Sequence, residues 1–424
     1  MRKIAKFTAL AIAAVVLTSC AASQPSTPTA TLSSDPVTLR YAYWGPNQTA
    51  AMQKIADAFH AKYPNVTVNL ELTPFKQYFT KLQNSAQGED LADVFWINAT
   101  NFQLYAANGQ LADQGDVPRA VGVSASDYPP AAVDLYRYNG TQYAFPKDFD
   151  TVGLWYNRAL FDKAGVAYPT KDWTWNDVIA AAQHLTTPDV YGIGVKLDPQ
   201  AWIYNVVPQG GGTVISADQK KSGYGSGGSL KGLEYMSDLV NKYKVSPSLA
   251  QTTETDTRQM FGSGKVAMIY DGSYAAVELH KNEYTRANAD VVQLPAGPAG
   301  DKTVIHGVGQ AISAKSKNIE WAKKYVQFLV GPEGARIQGE TGTTLPSYKA
   351  GQELWLKAMP QFHLQAFLDE VVDAYPYPTS KNAPVWQAYE TEEMRRLLTG
   401  AATPADVGAE LAKKMDSALA TEGK

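Results

Sequence analysis

The chain has 424 residues, a formal net charge of −3 and one cysteine. Its length predicts two hydrophobic cores rather than one. A mildly acidic balance without a basic run argues against nucleic-acid binding, which needs a Lys/Arg face. One cysteine leaves no disulfide framework and no Cys-ligated zinc.

The N-terminus carries Arg2, Lys3 and Lys6, then an apolar run from Phe7 to Leu17, then Thr18-Ser19-Cys20. That run is shorter than the roughly 18 residues needed to cross a bilayer, so it predicts a secretory signal over residues 1–19. Removing its three cations takes the net charge to about −6. Ser, Thr, Pro and Ala dominate from Ala21 to Pro36, which predicts a flexible tether over 20–36.

From Leu39 the pattern alternates. Leu39–Trp44 reads as a strand, and Met52, Ile55, Ala56 and Phe59 share one helical face, ended at Tyr63-Pro64. Val66, Val68 and Leu70 alternate as a strand, Phe75, Tyr78, Phe79 and Leu82 return to helical spacing, and Asp93–Ile97 is a short apolar strand. This is the opening of a doubly wound α/β domain, whose ligands bind beyond the carboxyl ends of strands; Trp44-Gly45 and Trp96–Asn98 lie there.

A second α/β series begins near residue 150. Thr151–Tyr156, Tyr191–Val195 and Val266–Tyr270 read as strands. Thr174-Trp-Asn-Asp177 is a capping-box start to one helix, and Leu233, Met236, Val240 and Tyr243 mark another. Short strands follow at Val291–Leu294 and Ala311-Ile312, then a helix through Trp321, Tyr325, Phe328 and Leu329, stopped by Gly331-Pro332. The remainder reads as helical, broken by Tyr375-Pro-Tyr-Pro378.

Catalytic signatures are missing. The five histidines are scattered, with no HExxH pairing for zinc and no GxSxG elbow for a serine nucleophile. Gly223, Gly225 and Gly228 spell GxGxxG but follow Lys220-Lys221-Ser222 rather than an apolar strand, and read as a flexible glycine loop. No cofactor or metal is expected. The distinctive content is aromatic: Trp44, Trp96, Trp202, Tyr274, Tyr375 and Tyr377 lie near strand and loop ends. Indole and phenol stack on the C–H face of a sugar while carboxylates and amides read its hydroxyl rim. On carboxylates alone, a secreted carbohydrate-active enzyme is the alternative.

Leu17-Thr-Ser-Cys20 resembles the lipobox of bacterial lipoproteins, which implies that Cys20 is acylated and anchors the chain on the extracytoplasmic face of the cell membrane. Pro146-Lys-Asp-Phe-Asp-Thr-Val-Gly-Leu-Trp-Tyr-Asn157, Leu160-Phe-Asp-Lys-Ala-Gly165 and Trp173-Thr-Trp-Asn-Asp177 resemble ordered motifs of the sugar-type extracellular solute-binding proteins of ABC importers. Asp93–Asn98, Gly262–Ser273 and His306–Ser313 agree with them, and the likeness runs from about residue 38 to 420.

The resemblance implies a two-lobed α/β fold with a hinge and an interlobe cleft, a monomer that binds no nucleic acid, and a carbohydrate delivered to the transmembrane permease subunits. Its lobes would be 37–147 with 290–331, and 148–289 with 332–424, joined by crossovers near 144–149 and 288–294. Asp148, Asp150 and Asn98 would hydrogen-bond sugar hydroxyls, and Trp44, Trp202 and Tyr274 would stack on ring faces. Asp271, His306, Gly307 and Tyr375 complete the expected site. Tyr274 and Asn98 stand where many relatives have Trp and Asp, which leaves the sugar open. A receptor for another solute (a polyamine, a peptide or glycerol phosphate) and a surface adhesion lipoprotein are further alternatives.

Overall fold

The computed structural model describes residues 32–422; Cys20, the signal and most of the tether expected over 20–36 lie outside them. The first lobe opens as its apolar spacing predicts. Strand β1 (Val37–Tyr43) buries Leu39, Tyr41 and Tyr43, and helix α1 (Thr49–Lys62) buries Met52, Ile55, Ala56 and Phe59. Strand β2 (Val66–Leu72) pairs parallel to β1 from Val37↔Val66 to Tyr43↔Leu72. Helix α2 (Phe75–Gln87) leads to β3 (Val94–Ile97), where all four residues are buried because the strand is covered on both faces. Asn98 then caps helix α3 (Ala99–Ala107).

The chain leaves this sheet through β4 (Ala144–Pro146) and enters the second at β5 (Val152–Asn157). Helix α4 (Trp175–Leu185) starts on the expected capping box. Tyr191–Val195 does not extend into a strand: it makes isolated bridges at Tyr191 and Gly194. Gly192 lies so close to α4 that a Cβ there would be 2.1 Å from the Ala182 carbonyl oxygen. Helix α5 (Gly227–Asn241) follows, capped by Ser226. Gly223 and Gly228 are packing contacts, since a Cβ would fall 2.1 Å from the Thr213 carbonyl oxygen at the first and 2.3 Å from the Gly211 backbone at the second.

Strands β6 (Met268–Gly272) and β7 (Ala289–Gln293) flank β5, both antiparallel to it. The lobe cut expected at 290 therefore falls inside a strand of the second sheet. Strand β8 (Gly309–Ile312) returns to the first sheet between β3 and β4, giving the order β2-β1-β3-β8-β4. Helix α6 (Ile319–Val330) packs on β8, and α7 (Pro332–Glu340), expected with the second lobe, packs on α1 and α6. Helix α8 (Ala383–Leu398) joins α5 in the second lobe. On β5, Leu154 and Tyr156 enter one core while Trp155 enters another, as a period of two requires. Inside the larger core Glu390 receives the hydroxyls of Tyr204, at 2.6 Å, and Tyr224, and burial pushes its carboxyl up to about 8.

Candidate ligand cleft

Three segments of backbone cross between the lobes. Asp150 and His306 exchange backbone hydrogen bonds of 2.9 and 3.1 Å, and the Lys147 N–H donates to Val308 O at 3.1 Å. A third segment joins where the Phe149 N–H donates to Leu345 O and the Ser347 N–H to Lys147 O. The sequence places polar residues in these crossovers, and the fold buries them. The Lys147 ammonium donates to Gln48 Oε1 at 2.8 Å, meets the Asp148 carboxylate and lies 4.6 Å from the centre of the Trp96 ring. Burial holds this ammonium below its ordinary value even beside Asp148. The other oxygen of Asp148 accepts from the Val308 N–H at 2.9 Å. Both Asp148 oxygens are therefore engaged, one on its neighbour Lys147 and one on the second crossover.

Asp150 is arranged differently. Its Oδ2 accepts from Gln200 Nε2 at 2.9 Å and lies 3.6 Å from His306 Nδ1, while no described residue donates to Oδ1. The opposite nitrogen of His306, Nε2, accepts from the Ala99 N–H at 3.3 Å, at the first turn of α3. That bond puts the imidazole proton on Nδ1, facing Asp150. Tyr377 lies 4.6 Å from the His306 ring. Gln200 follows Asp198, whose carboxylate caps the turn at the Ala201 N–H (3.1 Å) and meets Lys196 Nζ at 3.2 Å. Burial, and then the charges of Asp271 and Asp198, push the Tyr274 phenol well up. A carboxylate, an amide, an imidazole and a phenol thus converge where α3 of the first lobe meets the second.

Residues 45–336 match the bacterial extracellular solute-binding protein family. The chain belongs to that family. Among solved structures, an ABC substrate-binding protein from Listeria monocytogenes in complex with cycloalternan superposes with a TM-score of 0.85 at 27% identity, covering 91% of this chain and 100% of that one. The GacH receptor of Streptomyces glaucescens shares the two-lobed fold with a TM-score of 0.81 at 24% identity, over 91% of this chain and 99% of that one. By sequence, a maltooligosaccharide ABC transporter solute-binding lipoprotein of Streptococcus pneumoniae is 23% identical over 382 residues, 85% of this chain and 86% of that protein.

In this solute-binding protein, Asp150 and His306 lie side by side, and the Tyr274 ring lies under the Arg258 guanidinium, 5.4 Å from its centre. Gly307 stands beside them because a Cβ there would be 2.3 Å from the Asp148 carbonyl oxygen, and its own carbonyl accepts from Tyr136 Oη. Asn98 uses its side-chain oxygen on the Asn101 N–H (3.2 Å) and Nδ2 (2.8 Å), as a helix cap. Trp44 is half-buried among aromatic rings at the end of β1. Tyr375 has a buried hydroxyl without a partner and lines a cavity of about 600 Å³ with Tyr377, Thr379, Gln103 and Arg137.

Two expectations are corrected. Trp202 has no exposed surface and stacks on Tyr270 with ring centres 4.5 Å apart, so it has no face to offer a sugar. Asp271 is fully buried, takes Nε and Nη2 of Arg258 at 2.8 and 3.0 Å, and lies 3.5 Å from Lys196. Burial alone would raise its pKa, but these cations hold it well below the usual carboxylate range. Sequence reasoning missed Asp198 and Gln200, and singled out Tyr377 as an aromatic without placing it in the site. The first two follow Tyr191–Val195, so the same strand-end rule that selected Trp44 and Asn98 applies to them.

Proposed function

We propose that this solute-binding protein is the carbohydrate receptor of an ABC importer, held on the extracytoplasmic face of the membrane by acyl groups on Cys20. It binds and releases its sugar without chemical change. The observation that carries this reading is the chain Gln200–Asp150–His306–Ala99, which links a turn of the second lobe to α3 of the first through one partly unsatisfied carboxylate. A sugar hydroxyl donating to Asp150 Oδ1 would add to that link. Ligand contacts made to both lobes at once favour the closed arrangement, which is the form delivered to the permease.

A phosphate ester is less well served. Lys147, Lys196 and Arg258 are each already committed to a carboxylate. The test is thermal unfolding of the protein from residue 21 onward against mono- and oligosaccharides, followed by mass analysis of the recovered ligand. A sugar at about 100 times its Kd adds about 2.7 kcal/mol and should come back intact. A stabilising sugar recovered cleaved would mean an enzyme, and no shift across the panel would end the carbohydrate reading. For the anchor, a Cys20→Ala chain should lose acyl label and leave the membrane fraction; retention there would refute it.

A further inference from the structure

A neutral imidazole is built into the junction of the lobes. Ala99 opens α3, so its N–H is one of the helix donors without an intrahelical partner, and the Asn98 cap is spent on the Asn101 N–H instead. His306 Nε2 accepts from that Ala99 N–H at 3.3 Å. An imidazolium cannot do so, because both of its nitrogens are donors and the N-terminus of a helix repels a cation. On the opposite side Asp150 Oδ2 lies 3.6 Å from Nδ1 and favours that same cation. The link to α3 and a proton on Nε2 therefore exclude each other.

The surrounding charged groups are already committed. Asp148 is spent on Lys147 and the Val308 N–H, and Asp198 on Lys196 and the Ala201 N–H. Burial pushes up the phenols of Tyr377, beside the ring, and of Tyr136, on Gly307 O, so both stay neutral. Helix α3 contributes no charged side chain. Its other ties across the junction, Thr379 Oγ1 to Ala99 O at 2.8 Å and Thr100 Oγ1 to Gln387 Oε1 at 3.0 Å, hold no titratable group. The His306 and Asp150 side chains are 12% and 13% exposed, so solvent protons reach the pair. We propose that His306 is a proton-operated latch: neutral, it ties α3 to the Asp150 cluster, and protonated, it lets go and favours release of the bound sugar. By linkage, binding then expels part of a proton. The release of sugar rests on the carbohydrate reading above; the latch does not.

Hydrogen exchange tests the latch without ligand. Between about pH 8 and pH 5, where imidazoles titrate, the protection factor of the Ala99 amide should fall about 5- to 10-fold in wild type. It should stay level in His306→Gln, whose amide oxygen can accept the same N–H and does not titrate. Calorimetry then follows maltotriose and cellotriose over the same range. Wild-type affinity for whichever binds should fall about 5- to 10-fold, with protons released on binding in two buffers of different ionisation enthalpy. His306→Gln, whatever its affinity, should hold one value throughout. A wild-type protection factor that does not change, or an equal fall in both proteins, overturns the latch. Protection that falls while sugar affinity stays level overturns the gating of release. If no sugar of the thermal panel binds and protection still falls in wild type alone, the carbohydrate reading ends and the latch stands.

Discussion

Asp271 and Asp150 were both expected in the sugar site, and both are buried, yet their surroundings differ. Asp271 sits at the inner side of the second sheet with a guanidinium, an ammonium and the Gly272 N–H on its two oxygens. Asp150 sits at the crossover, holds one amide and one imidazole on a single oxygen, and leaves the other without a donor among the described residues. A carboxylate can recognise a ligand only with the acceptor capacity that the fold has not already used. Position near a cleft is therefore not sufficient. Glu390 is a third case, an acid as buried as Asp271 with only phenol hydroxyls for company.

The widest separation between these sites should appear in stability. Asp271→Ala leaves Arg258 and Lys196 without their shared partner in a buried setting, and should cost about 3–5 kcal/mol in denaturant unfolding. A loss below about 1 kcal/mol would mean that Asp271 is not the structural acid described here. Glu390 sharpens the contrast through pH. Its folded-state pKa lies above the ordinary carboxylate value, so its contribution is complete below about 4.5 and is lost as pH rises through about 8. Across that window wild type should lose stability on the order of a few kcal/mol relative to Glu390→Gln. Parallel pH curves for the two proteins would contradict it.

Asp150→Ala keeps the backbone pairing with His306 and should change stability by only about 1 kcal/mol. Calorimetric binding of the sugar found by the thermal panel should weaken by about 2–3 kcal/mol, because an unpaired hydroxyl is left in the closed cleft. Unchanged affinity would remove Asp150 from the site and erase the distinction from Asp271.

Much of the frame was legible because it rests on local periodicity. The opening strand–helix–strand order follows from Leu39, Tyr41 and Tyr43 and from Met52, Ile55, Ala56 and Phe59. Elements whose conformation depends on a distant neighbour were not legible. Gly192-Ile193-Gly194 looks like part of a strand, but it makes only isolated bridges, with Gly192 against α4 and Gly194 against Thr257 and Ile269. Trp202 looks like a stacking residue until Tyr270, 68 positions along the chain, takes its face.

By itself the sequence determined the signal-like start, the α/β class and the set of polar and aromatic side chains available to a ligand. These follow from residue type and near-neighbour spacing. Only the tertiary structure decided which of those side chains are free, because hydrogen-bonding capacity is allocated between residues far apart in sequence. Arg258 claims Asp271, Val308 and Lys147 claim Asp148, and Gln200 and His306 leave part of Asp150 open.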